Sequence, residues 1–186
     1  MLHIVYGGSA SGKSSYAESF AMSLQGEGRL LYIATMYPYK WNTTEIDPET
    51  MQRIERHRAM RADKGFDTVE CYRHVEHIVA KRQDVLLLEC MSNLLANEMY
   101  LEPDSNAGSD MAETMSPVSN KIVQALIDLS TRVQELVIVT NDVFSDGGSL
   151  TYDESTREYV KNLAEINCAL AVSYTHLRAH ETLRHL

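Results

Sequence analysis

Residues Gly7 to Ser15 read GGSASGKSS and follow directly on the apolar run Leu2 to Tyr6. From Gly7 onward the stretch satisfies the spacing G-x-x-x-x-G-K-[ST], with Gly12, Lys13 and Ser14 in the last three places. Small residues let consecutive backbone N–H groups curl around a phosphate, and the start of the helix behind them adds partial positive charge. In that pattern Lys13 reaches the β- and γ-phosphates and the Ser14 hydroxyl ligates Mg²⁺. A glycine-rich turn with an incidental lysine is the competing reading, but it leaves the strand before and the helix after unexplained. A nucleoside triphosphate is the expected ligand, held by Gly7, Gly8, Ser9, Ala10, Ser11, Gly12, Lys13 and Ser14.

Other residue types able to do chemistry lie further along. Glu89 closes the apolar run VLLLE, which is where a second Mg²⁺ contact belongs in such a protein; a solvated strand-end glutamate is the alternative. Asn141 and Asp142 form a similar polar tip after LVIVT. The segment Glu49 to Lys64 carries five basic residues against three acidic, inverting the sign of the chain. At helical spacing Arg53, Arg56, His57 and Arg61 fall near one face, suited to a polyanion. His57 sits among them, and an imidazole can attack phosphorus or shuttle a proton. By spacing alone, a solvated helix with an incidental histidine explains the segment better. Cys71, His74 and His77 lack the spacing and the fourth ligand of a metal site.

The elements that position these residues are legible from periodicity. Leu2 to Tyr6, Leu30 to Thr35, Val85 to Cys90 and Leu136 to Thr140 are apolar runs, expected as strands covered on both faces. Helices are expected after Lys13, from Pro48 to about Met60 with Asp47 as cap, over Tyr72 to Lys81, Leu94 to Met99, around Ile122 to Leu129, and from Asp153 to about Ala171. Thr68 to Glu70 reads as a short extended piece, and Glu102 to Pro117 as an exposed loop. Strands alternating with helices predict an α/β fold with a mostly parallel sheet and helices on both faces. Ligands in such sheets sit beyond the carboxyl ends of the strands.

Composition narrows the function classes. The chain of 186 residues is one domain by size, with a net charge of −9 that argues against nucleic acid or an anionic membrane as partner. Three cysteines form no C-x-x-C pair, no run approaches the length of a membrane span, and no leader is evident, so a cytoplasmic protein is expected.

The order GGSASGKS, LLYIAT, RIERH, VECYRHV, LLLEC, VIVTNDV resembles the bifunctional adenosylcobinamide kinase/adenosylcobinamide-phosphate guanylyltransferase family of cobalamin biosynthesis. The resemblance runs from Leu2 to about Ala171, its most specific parts being R-I-x-x-H ending at His57, T-x-E ending at Glu70, and L-L-E-C around Glu89. It implies a RecA-like P-loop NTPase fold and an enzyme that phosphorylates adenosylcobinamide with ATP or GTP. The enzyme would then transfer GMP from GTP to adenosylcobinamide phosphate. By resemblance His57 would carry GMP covalently, with Lys13 serving catalysis in the phosphate-binding loop. Nucleotide contacts would come from Thr35, Met36, Tyr37, Arg58, Ala59, Met60, Arg61, Glu70 and Glu89. Mg²⁺ would lie between Ser14 and Glu89, and a homo-oligomer, a trimer, is implied. Another P-loop small-molecule kinase or nucleotidyltransferase is the second reading, and a RecA-like nucleic-acid or regulatory ATPase the third.

Two features depart from the family. The loop after Thr35 is longer, adding YPYKWNTT (Tyr37 to Thr44). The end, SYTHLRAHETLRHL from Ser173 to Leu186, holds three of the seven histidines and differs in composition from the rest. The reading therefore divides the chain into a nucleotide-binding domain, 1–172, and a non-native tail, 173–186, whose histidines are excluded as ligands.

Overall fold

The computed structural model describes residues 1–41, 43–101, 117–142, 152–173 and 177–179. In chain order the elements are β1 (Leu2–Gly7), α1 (Lys13–Leu24), β2 (Leu30–Ala34), α2 (Pro48–Arg61), β3 (Phe66–Glu70), β4 (Val85–Leu88), α3 (Met91–Tyr100), α4 (Val118–Arg132), β5 (Glu135–Asn141), α5 (Glu154–Ser173) and β6 (Leu177–Ala179). Six strands form one sheet in the order β3-β2-β4-β5-β1-β6, and every pairing is parallel. All carboxyl ends therefore face the same edge. The expected α/β architecture is present, with its sheet wholly parallel among the described residues.

Alternation along the strands builds two apolar layers. Leu31, Ile33, Leu86, Leu88, Leu136 and Ile138 turn to one face, where α3, α4 and α5 contribute Leu94, Leu126 and Ile166. Leu30, Tyr32, Val85, Leu87, Val137 and Val139 turn to the other, against Ala17 and Ala21 of α1. Each such side chain contributes about 1.5–3 kcal/mol when fully buried. The helix α2 is different. Of its residues only Arg61 is buried.

The amino ends of the strands are locked together by Asp84. Buried, it accepts from Arg29 N at 3.0 Å, Arg29 Nη2 at 2.6 Å and Lys81 N at 2.8 Å. Its own carbonyl accepts from Gln134 N at 3.0 Å, tying β4 to β5. Gly28 makes this possible, since a Cβ there would lie 1.8 Å from the Gln83 carbonyl oxygen.

One expected helix is corrected, and one expected extended piece proves longer. Tyr72 to Lys81 is not a helix but an irregular segment with one 3₁₀ turn, Val75–His77. His74 is left-handed, with φ 55°, and its N–H goes to Glu98 Oε1 at 2.6 Å, so the backbone is held away from helical pairing. Thr68 to Glu70 is the end of a five-residue strand, β3. The loop expected at Glu102 to Pro117 falls outside the described residues except for Pro117, which precedes α4. Within the stretch set apart as a tail, α5 runs to Ser173 and β6 pairs with β1, Ile4 opposite Leu177. Residues 174–176 and 180–186 lie outside the described residues.

Burial works against the Asp84 carboxylate, but the donors from Arg29 and Lys81 win and hold its pKa below the ordinary carboxylate value. A depressed folded pKa means stabilisation that is complete above the unfolded value of about 3.9 and is lost as pH falls through the folded value. Asp84→Asn should therefore cost about 2–3 kcal/mol at pH 7 by urea denaturation, with the gap to wild type closing toward pH 3.

Candidate active site at the carboxyl edge of the sheet

The loop after β1 bends back through two left-handed residues, Ala10 at φ 55° and Gly12 at φ 81°. Gly12 caps α1 with open space where a Cβ would stand, so its backbone angle, not crowding, calls for glycine. Lys13 is buried and its Nζ donates to the Gly8 carbonyl at 3.0 Å, across the mouth of the loop. Ser14 is exposed at the first turn of α1. Ser11 Oγ is buried without a hydrogen-bond partner among the described residues.

Two strands away, at about 4.8 Å per strand, lies the tip of β4. Burial pushes the thiol of Cys90, just past this tip, above its ordinary value. Glu89 projects on the α1 face of the sheet. Its Oε1 stands 3.3 Å from His57 Nδ1. Burial, then the charge of Glu89, raises the Tyr32 pKa far above the ordinary phenol value, so this hydroxyl keeps its proton.

The helix α2 presents a stripe at positions i, i+3, i+4 and i+7: Ile54, His57, Arg58 and Arg61. Arg53 and Arg56 are exposed, so the face differs from the one expected from arginine spacing. Arg58 pairs with Glu70 at the end of β3, and the Tyr72 hydroxyl donates to Glu70 Oε2 at 3.0 Å. Arg61 lies over the Tyr32 ring, 3.4 Å from guanidinium carbon to centroid. His57 is 37% exposed. These residues with Met36 line a cleft enclosing only about 20 Å³, because their own ion pairs fill it. A cavity of about 170 Å³ opens beside it, sharing Ile54, Arg58, Glu70 and Tyr72 and walled by Pro38, Tyr39, Ile46 and Met51. The longer loop thus supplies one wall, folded back by the bridge between Tyr39 and Ile46 and by edge contacts among Tyr37, Tyr39 and Tyr72.

The structure brings His57, Arg58, Arg61, Met36, Glu70 and Glu89 into one cleft. It keeps Gly7 to Ser14 as a separate cluster alongside. Thr35 is wholly buried, its hydroxyl on the Cys90 carbonyl at 3.2 Å. Tyr37 sits in the aromatic group, Ala59 is exposed, and Met60 is 65% exposed, outside the cleft. Sequence reading passed over Tyr32, Tyr72 and Asn97. A hydroxyl inside the otherwise apolar run LLYIA was the available signal for the first. Asn97 Nδ2 donates to the Thr35 carbonyl at 2.8 Å and the Tyr72 carbonyl at 3.0 Å, holding both loops in place. His74 and His77 stack at 5.6 Å, and burial pushes the Cys71 thiol up to about 11, away from the thiolate a metal needs. Among the described residues no group of three acidic, histidine or cysteine side chains is poised for a metal.

A family model for cobinamide kinase / cobinamide phosphate guanyltransferase matches residues 3–178. The chain belongs to this family. No curated protein matches it at a significant level. Cobinamide kinase / cobinamide phosphate guanyltransferases phosphorylate cobinamide and guanylylate the product in cobalamin biosynthesis, so this chain is a kinase and nucleotidyltransferase with nucleotide co-substrates. The match also makes the P-loop fold explicit. No helix among the described residues is long and apolar enough to cross a membrane.

Asn97→Ala removes two buried donors and leaves two carbonyls unsatisfied. It should lower stability by about 2–3 kcal/mol in urea. Tryptophan fluorescence should report a loosened Tyr37–Tyr72 wall, since Trp41 packs on Tyr100 at 6.1 Å, at the end of the same helix as Asn97.

Proposed function

We propose that guanylyl transfer runs through a covalent GMP adduct on His57, and that its nucleophilic atom is Nε2. The observation that carries this is the Glu89 carboxylate at Nδ1. A carboxylate there favours the tautomer with the proton on Nδ1, which leaves the lone pair on Nε2. Catalytic contacts of this kind tighten when substrate binds. Nε2 attacks the α-phosphorus of GTP; the N–P bond forms as the bond to the bridging oxygen breaks, and pyrophosphate leaves. The ring then carries positive charge, which Glu89 stabilises. A phosphate oxygen of cobinamide phosphate next attacks the same phosphorus, the N–P bond breaks, and the imidazole returns neutral.

The remaining residues follow from charge and place. Arg58 and Arg61 neutralise the triphosphate, with Arg58 exchanging Glu70 for phosphate oxygens. Backbone N–H groups from Gly8 to Lys13 hold the terminal phosphates, and Lys13 leaves the Gly8 carbonyl to reach them. The exposed Ser14 hydroxyl and the Glu89 carboxylate would hold Mg²⁺, which would supply charge neutralisation. ATP or GTP serves the kinase step at the same loop. Aromatic walls at Tyr39 and Tyr72 suit a nucleobase or a corrinoid edge. The net charge of −9 supports small-molecule partners over nucleic acid and accords with a cytoplasmic enzyme, assembled as a homo-oligomer.

Incubation with GTP labelled at the α-phosphorus should place acid-labile, alkali-stable label on the wild-type protein and none on His57→Asn, which should keep cobinamide phosphorylation. Lys13→Ala should lower phosphorylation by about a hundredfold or more, as loss of a preorganised charge contact does. A fully labelled His57→Asn protein would refute the adduct.

A further inference from the structure

Deepening that reading, and resting on it, we infer that Tyr32 and Glu18 are positioning residues for guanylyl transfer. They hold α2 in the orientation that presents His57, without touching a reacting atom.

Helices normally take their orientation from an apolar stripe pressed on the core. In α2 that stripe is Ile54 and polar side chains, so the orientation rests on what those polar groups meet. Arg61 meets the face of Tyr32. Its Nε is buried with no hydrogen-bond partner among the described residues, so the π face is what compensates the guanidinium on that side. Lys64, just beyond the helix, pairs with Glu18 of α1. One turn back along the helix from Arg61, His57 faces Glu89.

The C-terminal end of α2 is thus tied at two points, by Lys64 to Glu18 on α1 and by Arg61 to Tyr32 on β2. α1 starts at Lys13, so these ties set the imidazole on α2 relative to the loop before that helix. Arg61 and His57 are one helical turn apart, about 6 Å along the axis. A tilt pivoting at the Arg61 end is therefore felt at the histidine. Misplacing a reacting group by about 1 Å costs on the order of a hundredfold in rate. The kinase step uses Lys13 and not the imidazole, so a displaced His57 bears on labelling rather than on phosphorylation.

The test compares two rates in each variant: transfer of α-label from GTP to the protein in a single turnover, and phosphorylation of cobinamide. Tyr32→Leu removes the aromatic face under Arg61; Glu18→Gln keeps the shape and removes the charge. Both should slow labelling about tenfold or more while phosphorylation stays within about twofold, which also shows that the variants are folded. Glu18→Lys and Lys64→Glu should each be slow, and the two together should recover to within about threefold of wild type. Equal losses in both rates, no loss in either, or no recovery in the swapped pair would overturn the inference. A wild-type protein that takes no label would overturn the histidine reading and this inference with it.

Discussion

The approach of the Glu89 carboxylate to His57 Nδ1, 3.3 Å across the gap between β4 and α2, is the contact on which the proposed catalytic arrangement depends. It joins a side chain fixed by the most deeply buried strand to one carried on the least buried helix. Val85 to Leu88 are all at or below 1% exposed, so the tip of β4 has little freedom. The helix it meets is bound by ion pairs and one stacked arginine. An imidazole between the two is oriented by the rigid partner and admitted by the adaptable one.

The sheet explains why such a contact exists. Parallel pairing throughout puts the ends of β1, β5, β4, β2 and β3 along one edge, in that order. The phosphate-binding loop, Asn141, Glu89, Thr35 and Glu70 then form a row without any long-range folding of loops. Asp84 and Gly28 secure the opposite edge, where β2 and β4 begin. Stability is concentrated at one end of the strands and chemistry at the other. The ion pairs in the cleft hold the charges that the proposed reaction asks of a triphosphate site, with Arg58 now paired to Glu70.

The strands Leu2–Gly7, Leu30–Ala34, Val85–Leu88 and Glu135–Asn141 were legible because continuous apolar runs leave no other arrangement. β3 was only partly legible: FDTVE lies at the sheet edge and alternates polar residues with half-buried ones. The segment after it misled because helical spacing in YRHVEHIV is outweighed by one left-handed histidine and a glutamate on another helix. The same limit applied to α2. Charge spacing grouped Arg53 with Arg56, whereas contact with the sheet selects Ile54, His57, Arg58 and Arg61. No periodicity could show that Arg61 would stack on Tyr32, because that contact joins residues far apart in the chain. The pattern of the phosphate-binding loop lies in consecutive residues and could be read directly; the role proposed for His57 came only through the resemblance around it.

The most direct measurement is nuclear magnetic resonance of the protein with ¹⁵N-labelled histidine after reaction with GTP. The account predicts phosphorus coupled to Nε2 of His57, with Nδ1 still bearing its proton against Glu89. Phosphorus bound to Nδ1, or to any other residue, would contradict it.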